Sequence, residues 1–161
     1  MKTSAKSLPW IRLQDWANEA LLLHGTLYEN AIKIARVGFD ENLCKRGLYG
    51  AGVYMTTNLC KAVQKEYTGA GRSKCVIIGR TILGHPYLAK GPRDPHARPP
   101  DIEGGLGIPH DSVIAKPGTP NGKSGKGKGK GKQQGEQVHW EMVIRRGDLQ
   151  IYPEFIVKLQ V

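Results

Sequence analysis

Cysteine is scarce in this sequence: Cys44, Cys60 and Cys75 lie far apart, and none forms a CxxC pair. An odd, scattered set of that kind indicates neither a disulfide framework nor a metal cluster. It fits a reducing, intracellular setting. Long apolar runs are also missing. Arg12, Asp15 and Glu19 interrupt the N-terminal region, so neither a signal peptide nor a membrane span is expected. Aromatic residues make up 7% of the chain. They do not alternate with basic residues as the stacking platforms of single-strand binders require. Acidic residues are outnumbered, 14 against 24 Lys and Arg, for a formal charge of +10. That excess attracts polyanions. Much of it is local, since Lys123, Lys126, Lys128, Lys130 and Lys132 fall in one short run.

With 161 residues, the chain is long enough for one domain with a real core. Residues 1–20 read as an N-terminal extension. Trp10, Leu13, Trp16 and Ala17 recur at helical spacing there. Leu21, Leu22 and Leu23 suit a buried strand. Tyr28, Ala31, Ile32 and Ala35 form the apolar stripe of a helix that Gly38 stops. Between the two periodicities stands the corner His24-Gly25-Thr26. A glycine there admits close approach to the backbone. Taken alone, His24 also suits a satisfied histidine at a strand end.

Residues 39–49 read as a loop, followed by a glycine-flanked strand, Gly50-Ala51-Gly52-Val53-Tyr54-Met55. Glycines before an aromatic suit either a flat ligand packed on the backbone or a turn before a core tyrosine. Asn58 caps an expected helix running to about Tyr67, with Leu59, Ala62, Val63 and Tyr67 on its buried stripe. Residues 75–83 make a β-branched strand. Residues 84–109 read as a long irregular segment, and Ser112, Val113 and Ile114 as a short strand. Residues 117–135 form a flexible Lys/Gly-rich loop that cannot pack a core. It is either a solvated insertion or a polyanion-binding element. Val138, Trp140, Met142 and Ile144 then alternate with Glu141 and Val143 at period two, so Glu141 faces away from Trp140 and Met142. Ile151 to Val161 supplies a closing strand, with Pro153 at an edge or bulge. Many strands, few helices and little alternation between them predict an α+β fold with antiparallel sheets.

HGTLYENAIKIARVGFD (24–40), GLYGAGVYM (47–55), PHDSVIAKP (109–117) and HWEMVIRRGDLQIYPEFIV (139–157) occur in that order. Together they resemble the catalytic domain of the poly(ADP-ribose) polymerases, the diphtheria-toxin-like ADP-ribosyltransferases with a His-Tyr-Glu triad. The tankyrase branch and compact fungal-type members are nearest. The resemblance runs from about Leu21 to Val161, so it implies a catalytic domain over 21–161. It implies the ADP-ribosyltransferase fold, with two packed, mainly antiparallel sheets and a few short helices around an NAD cleft.

The resemblance also implies roles. NAD is the donor substrate, and no metal is required. His24 would bond a ribose hydroxyl of NAD, and Gly25 would offer its backbone to the nicotinamide carboxamide. Tyr54 would stack on the nicotinamide ring, a contact worth about 0.5–1.5 kcal/mol. Thr26, Asn30, Gly52, Ala62 and Tyr67 match pocket positions. Glu141 would bond the nicotinamide ribose and steady an oxocarbenium-like transition state, as carboxylates do in glycoside cleavage. Transfer of ADP-ribose to a protein or nucleic-acid acceptor by a monomer is the implied activity, with the basic loop drawing the acceptor.

Three departures stand out. The serine of the family's Lys-Ser pair is replaced by Ala62, or by Gln64 counted back from Tyr67. Tyr67 comes two residues late, a turn of roughly 200° on a helix. Neither the helical regulatory subdomain of some members nor the tankyrase zinc cluster is expected here. Single transfer, chain elongation, NAD hydrolysis and a catalytically degenerate binding module all stay open.

Overall fold

A computed structural model of the chain describes residues 12–43, 46–70, 73–124 and 134–160. Its elements are β1 (Glu19–Thr26), α1 (Tyr28–Val37), β2 (Arg46–Gly47), β3 (Gly50–Ala51), β4 (Val53–Thr56), α2 (Leu59–Ala62), α3 (Lys65–Thr68) and β5 (Ser73–Ile82). They continue with β6 (Pro86–Leu88), β7 (Ser112–Ala115), β8 (Pro120–Ser124), β9 (Gln134–Glu136), β10 (Glu141–Ile144), α4 (Gly147–Gln150) and β11 (Ile151–Gln160). The fold is α+β. No helix among the described residues is long and apolar enough to cross a membrane.

Seven strands form one sheet in the order β11-β5-β1-β4-β10-β7-β6, while β2–β3 and β8–β9 are separate hairpins. All pairs are antiparallel except β6–β7. Two packed sheets were expected, and the strands instead form a single ladder with a weak seam. β1 pairs β5 along its whole length, from Glu19↔Ile82 to Thr26↔Cys75. Its only registered pair with β4 is Leu23↔Thr56. The sheet is therefore two well-paired halves joined at one residue pair.

The main core lies on the face carrying Leu22, Met55, Ile77, Met142 and Ile144, covered by Ala31 and Ile34 of α1 and by Phe39. The opposite face carries Val113, Ala115 and Val143, packed with Tyr49 and Ala89 and, partly buried, Tyr54 and Tyr87. Period-two alternation on β4 and β10 thus sends Tyr54, Thr56, Glu141 and Val143 away from the main core.

Several elements differ from the sequence reading. Over its described part, the expected N-terminal helix is a 3₁₀ turn, Asp15–Ala17, and Trp16 is 87% exposed. Strand β1 begins earlier and ends later than the leucine run, so His24, Gly25 and Thr26 are strand residues. On α1 the inward face is Ala31 and Ile34, while Tyr28 and Ala35 face outward. The helix after Asn58 breaks in two at Val63 and Gln64. The Thr68 hydroxyl bonds the Val63 carbonyl at 3.2 Å, holding that break. The irregular 84–109 segment contains edge strand β6. The flanks of the 117–135 loop pair as β8 and β9, and residues 125–133 lie outside the described residues. The bulge expected near Pro153 falls between Pro153 and Phe155.

Leu22 is fully buried at the centre of β1. Its change to alanine should cost about 2–5 kcal/mol of stability by lost transfer energy and residual cavity, read by urea denaturation.

Candidate active site

Glu141 opens β10 and pairs with Thr56 on one side and Ala115 on the other. Thr56 in turn pairs with Leu23, so Leu23, Thr56 and Glu141 form a row across three adjacent strands. The Thr56 hydroxyl donates to the Trp140 carbonyl at 2.7 Å and accepts from the Asn58 N–H at 3.1 Å. One side chain thereby fixes both the entry to β10 and the start of α2.

Only 6% of Glu141 is exposed. A buried carboxylate is costly unless it is paired. Its Oε1 lies 3.6 Å from Lys61 Nζ, and its Oε2 accepts a 3.1 Å hydrogen bond from Gln137 Nε2. Burial raises the proton affinity of Glu141 above the ordinary glutamate range, and Lys61 and Gln137 oppose that rise without cancelling it. Lys61 loses some proton affinity to burial, but the Glu141 charge and a bond with Tyr67 more than restore it, so its ammonium is held. The same ammonium lies 5.5 Å from the centre of the Tyr67 ring, a cation–π contact.

Tyr54 projects from β4 to the Glu141 side of the sheet. Its phenol donates to the Gly50 carbonyl at 2.7 Å and accepts from the Tyr49 N–H at 3.0 Å. Gly47 lies against this ring, and a methyl group there would overlap the phenol. Burial is the main cause of a strongly raised proton affinity at Tyr54, with Glu141 adding to it. The neighbouring Tyr49 phenol is pushed up to about 12, chiefly by burial and then by Glu141. Both are neutral at physiological pH. Gly52 takes φ of +152°, and a Cβ there would sit 2.5 Å from the Ile144 carbonyl oxygen and 2.8 Å from Val143 Cγ1. The glycine before Val53-Tyr54 therefore serves the approach of β10.

His24 enters from the other side. By strand parity it shares the face of Leu22, and its ring stands edge-on to Phe39 with centroids 5.2 Å apart. Where β1 and β4 part, its Nδ1 lies 2.9 Å from the Tyr54 carbonyl oxygen. A carbonyl only accepts, so Nδ1 carries the proton that points at it. The three residues thus stand on adjacent strands, with Tyr54 and Glu141 on one face and His24 reaching the Tyr54 backbone at the seam.

The remaining predicted positions divide. Thr26 is buried at the end of β1, whereas Asn30 is exposed on α1. Gly25 lies under α2, where a Cβ would collide with the Ala62 carbonyl oxygen. The close neighbour of that glycine is the chain's own helix. Ala62 is buried and offers no hydroxyl. The two-residue delay of Tyr67 does not carry it around a continuous helix, because the break at Val63 and Gln64 resets the rotation and brings its ring beside Lys61. Of the lysine run, 126, 128, 130 and 132 lie outside the described residues.

No protein-family model matches the chain.

Sequence reasoning did not assign Lys61, Gln137 or Tyr49. Lys61 was visible as the lysine seven residues after Tyr54, beside the altered Ala62. Gln137 carried no signal, because a contact four residues apart is diagnostic only on a helix and residues 137–140 are not helical.

Changing Lys61 to methionine tests the electrostatics. A carboxyl group with raised folded-state proton affinity contributes stability below its unfolded pKa, and that contribution is lost as pH rises through the folded value. Removing Lys61 widens this window upward. The variant should therefore lose about 1–3 kcal/mol at pH 8 and much less at pH 4, by denaturation across pH. The cost stays short of that for a fully dry pair because the Lys61 side chain is 19% exposed.

Proposed function

We propose that the chain is an NAD-dependent ADP-ribosyltransferase with the ADP-ribosyltransferase fold. Its donor would lie across the β1–β4 seam. The observation that carries this reading is the placement of His24, Tyr54 and Glu141 on three adjacent strands, with His24 bonded to the Tyr54 carbonyl at the seam and Glu141 buried yet held by a cation and an amide.

Each residue has a matching task. His24, its Nδ1–H held by the Tyr54 carbonyl, would hold a ribose hydroxyl through Nε2. The Tyr54 ring, anchored by its phenol on the Tyr49–Gly50 turn, would present a flat surface to nicotinamide. Tyr67 stands near Lys61 and adds a second aromatic wall. Glu141 would bond the hydroxyl of the nicotinamide ribose. As the N-glycosidic bond breaks, its electron pair leaves with nicotinamide and positive charge develops on the ribose. A fixed carboxylate in a water-poor site stabilises that charge without reorganising. The acceptor nucleophile then bonds the anomeric carbon, and its proton passes to the carboxylate. The raised proton affinity of Glu141 suits it to that second step.

The acceptor side is read from charge. Hairpin β8–β9 precedes β10, and the Lys/Gly tract joins its two strands. An anionic acceptor, a nucleic-acid phosphate or an acidic protein segment, suits that tract.

A binding module without turnover is the second reading. It is favoured by Ala62, whose buried methyl replaces the hydroxyl that would bond the carboxamide.

Labelled NAD separates the two. Wild-type protein should release nicotinamide and carry label to an acceptor. Glu141→Gln should lower release by about 10²–10³-fold, and His24→Ala should act mainly on KM. Binding without release would favour the module. Activity should also fall as pH drops through a value above the ordinary glutamate range. Replacing Lys123, Lys126, Lys128, Lys130 and Lys132 by glutamine should flatten the salt dependence of acceptor capture, because fewer phosphate contacts release fewer counterions. An unchanged slope would reduce the tract to a spacer.

A further inference from the structure

Gln137 does two things at once. Its backbone closes the base of hairpin β8–β9: its N–H donates to the Thr119 carbonyl at 2.7 Å, and its carbonyl accepts from the Gly118 N–H at 2.9 Å. Its side chain meanwhile donates to Glu141 Oε2 at 3.1 Å. Both Gln137 and Thr119 are buried, so the base is locked out of solvent. Three residues on, the chain is pinned again where the Thr56 hydroxyl bonds the Trp140 carbonyl.

We propose that Gln137 is a positioning residue that fixes the orientation of the Glu141 carboxylate and ties it to the base of the hairpin bearing the Lys/Gly tract. Lys61 cannot supply this alone. An ammonium 3.6 Å away acts as a point charge with rotatable donors and sets little direction. A planar amide on a clamped backbone does set direction. Thus Oε1 faces the cation and Oε2 faces the amide, and the carboxylate plane is defined before any substrate arrives. Displacement of the hairpin base would move Oε2 with it. The consequence for turnover rests on the transferase reading of the site; the tether itself rests on geometry alone.

The groups around Glu141 make the tether measurable. Lys61 faces it from α2, Tyr54 from β4 and Tyr49 from the preceding turn, while Tyr67 on α3 lies beside Lys61. Lys61 stays charged and both Tyr49 and Tyr54 stay neutral between pH 4 and 9.

Gln137→Met keeps the side-chain length and removes the donor, and Gln137→Glu serves if the first variant does not fold. The acid limb of kcat for nicotinamide release should move up by about one pH unit. Deep on the acid limb the variant should then be roughly tenfold slower than wild type, and it should converge with wild type at pH 9, with KM for NAD within about twofold. A uniform loss at every pH, or an unmoved profile, would overturn the proposal. A ¹³C NMR titration of the Glu141 carboxyl carbon reads the same shift without turnover. If wild-type protein releases no nicotinamide but the titration moves in Gln137→Met, the transferase reading fails and the tether stands. If the titration does not move, the tether fails.

Discussion

An ionised carboxylate cannot be buried within a sheet without partners, and the packing around β10 answers that constraint. Glu141 needs a cation, which requires α2 to lie over β1 so that Lys61 reaches it. That approach is possible only because Gly25 has no side chain where the Ala62 carbonyl sits. The carboxylate also needs a directional donor, which comes from Gln137 at the closed base of a hairpin. Thr56 links both supports, bonding the Trp140 carbonyl before β10 and the Asn58 N–H before α2. Remove the charge at Glu141 and none of these close approaches has an electrostatic reason.

The seam in the sheet is the second constraint. A fully paired β1–β4 ladder would satisfy both backbones and leave no opening for a flat ligand. One registered pair, Leu23↔Thr56, keeps the two halves in one sheet. Just beyond it the Tyr54 carbonyl is engaged by the His24 ring. On the transferase reading, the donor would cross the sheet where its own hydrogen bonding is thinnest. The two halves stay rigid because β5 holds β1 along eight registered pairs and β10 is held on both sides.

Strong periodicity made much of this legible. The β-branched run 75–83, the alternation around Met142 and the Gly38 stop each appear close to where pattern put them. So does the facing of Glu141 away from Met142, which follows from period two alone. The failures share a cause, tertiary packing overriding local pattern. Trp16 looked like part of an apolar stripe, yet it has no sheet to cover and stays exposed. The stripe on α1 was read as Tyr28, Ala31, Ile32 and Ala35; Ala31 is in the core, but Ile34 joins it there while Tyr28 and Ala35 face outward. GAGVY was weighed between a ligand contact and a turn. Gly52 turns out to make room for the Ile144 carbonyl, and Gly47, outside that motif, makes room for the Tyr54 phenol. Gln137 had no signal at all, because its contact depends on a backbone clamp formed by residues 18 and 19 positions earlier.

The segment from Lys61 to Tyr67 departs most from the resembled family, and on the transferase reading it would form an altered but not empty wall of the donor site. A serine at position 62 would sit where the buried methyl of Ala62 now lies, beside the carbonyl that meets Gly25. Losing that hydroxyl removes one polar contact from the wall. The break at Val63 and Gln64, held by Thr68, then gives the next aromatic a second chance at the site. Tyr67 uses it to lie beside the Lys61 ammonium, and that ammonium already serves Glu141. Aromatic wall and carboxylate are thus coupled through one cation. A ligand that displaced Lys61 from Tyr67 would strengthen or weaken its hold on Glu141. On the transferase reading, such coupling would make donor binding and carboxylate ionisation one event.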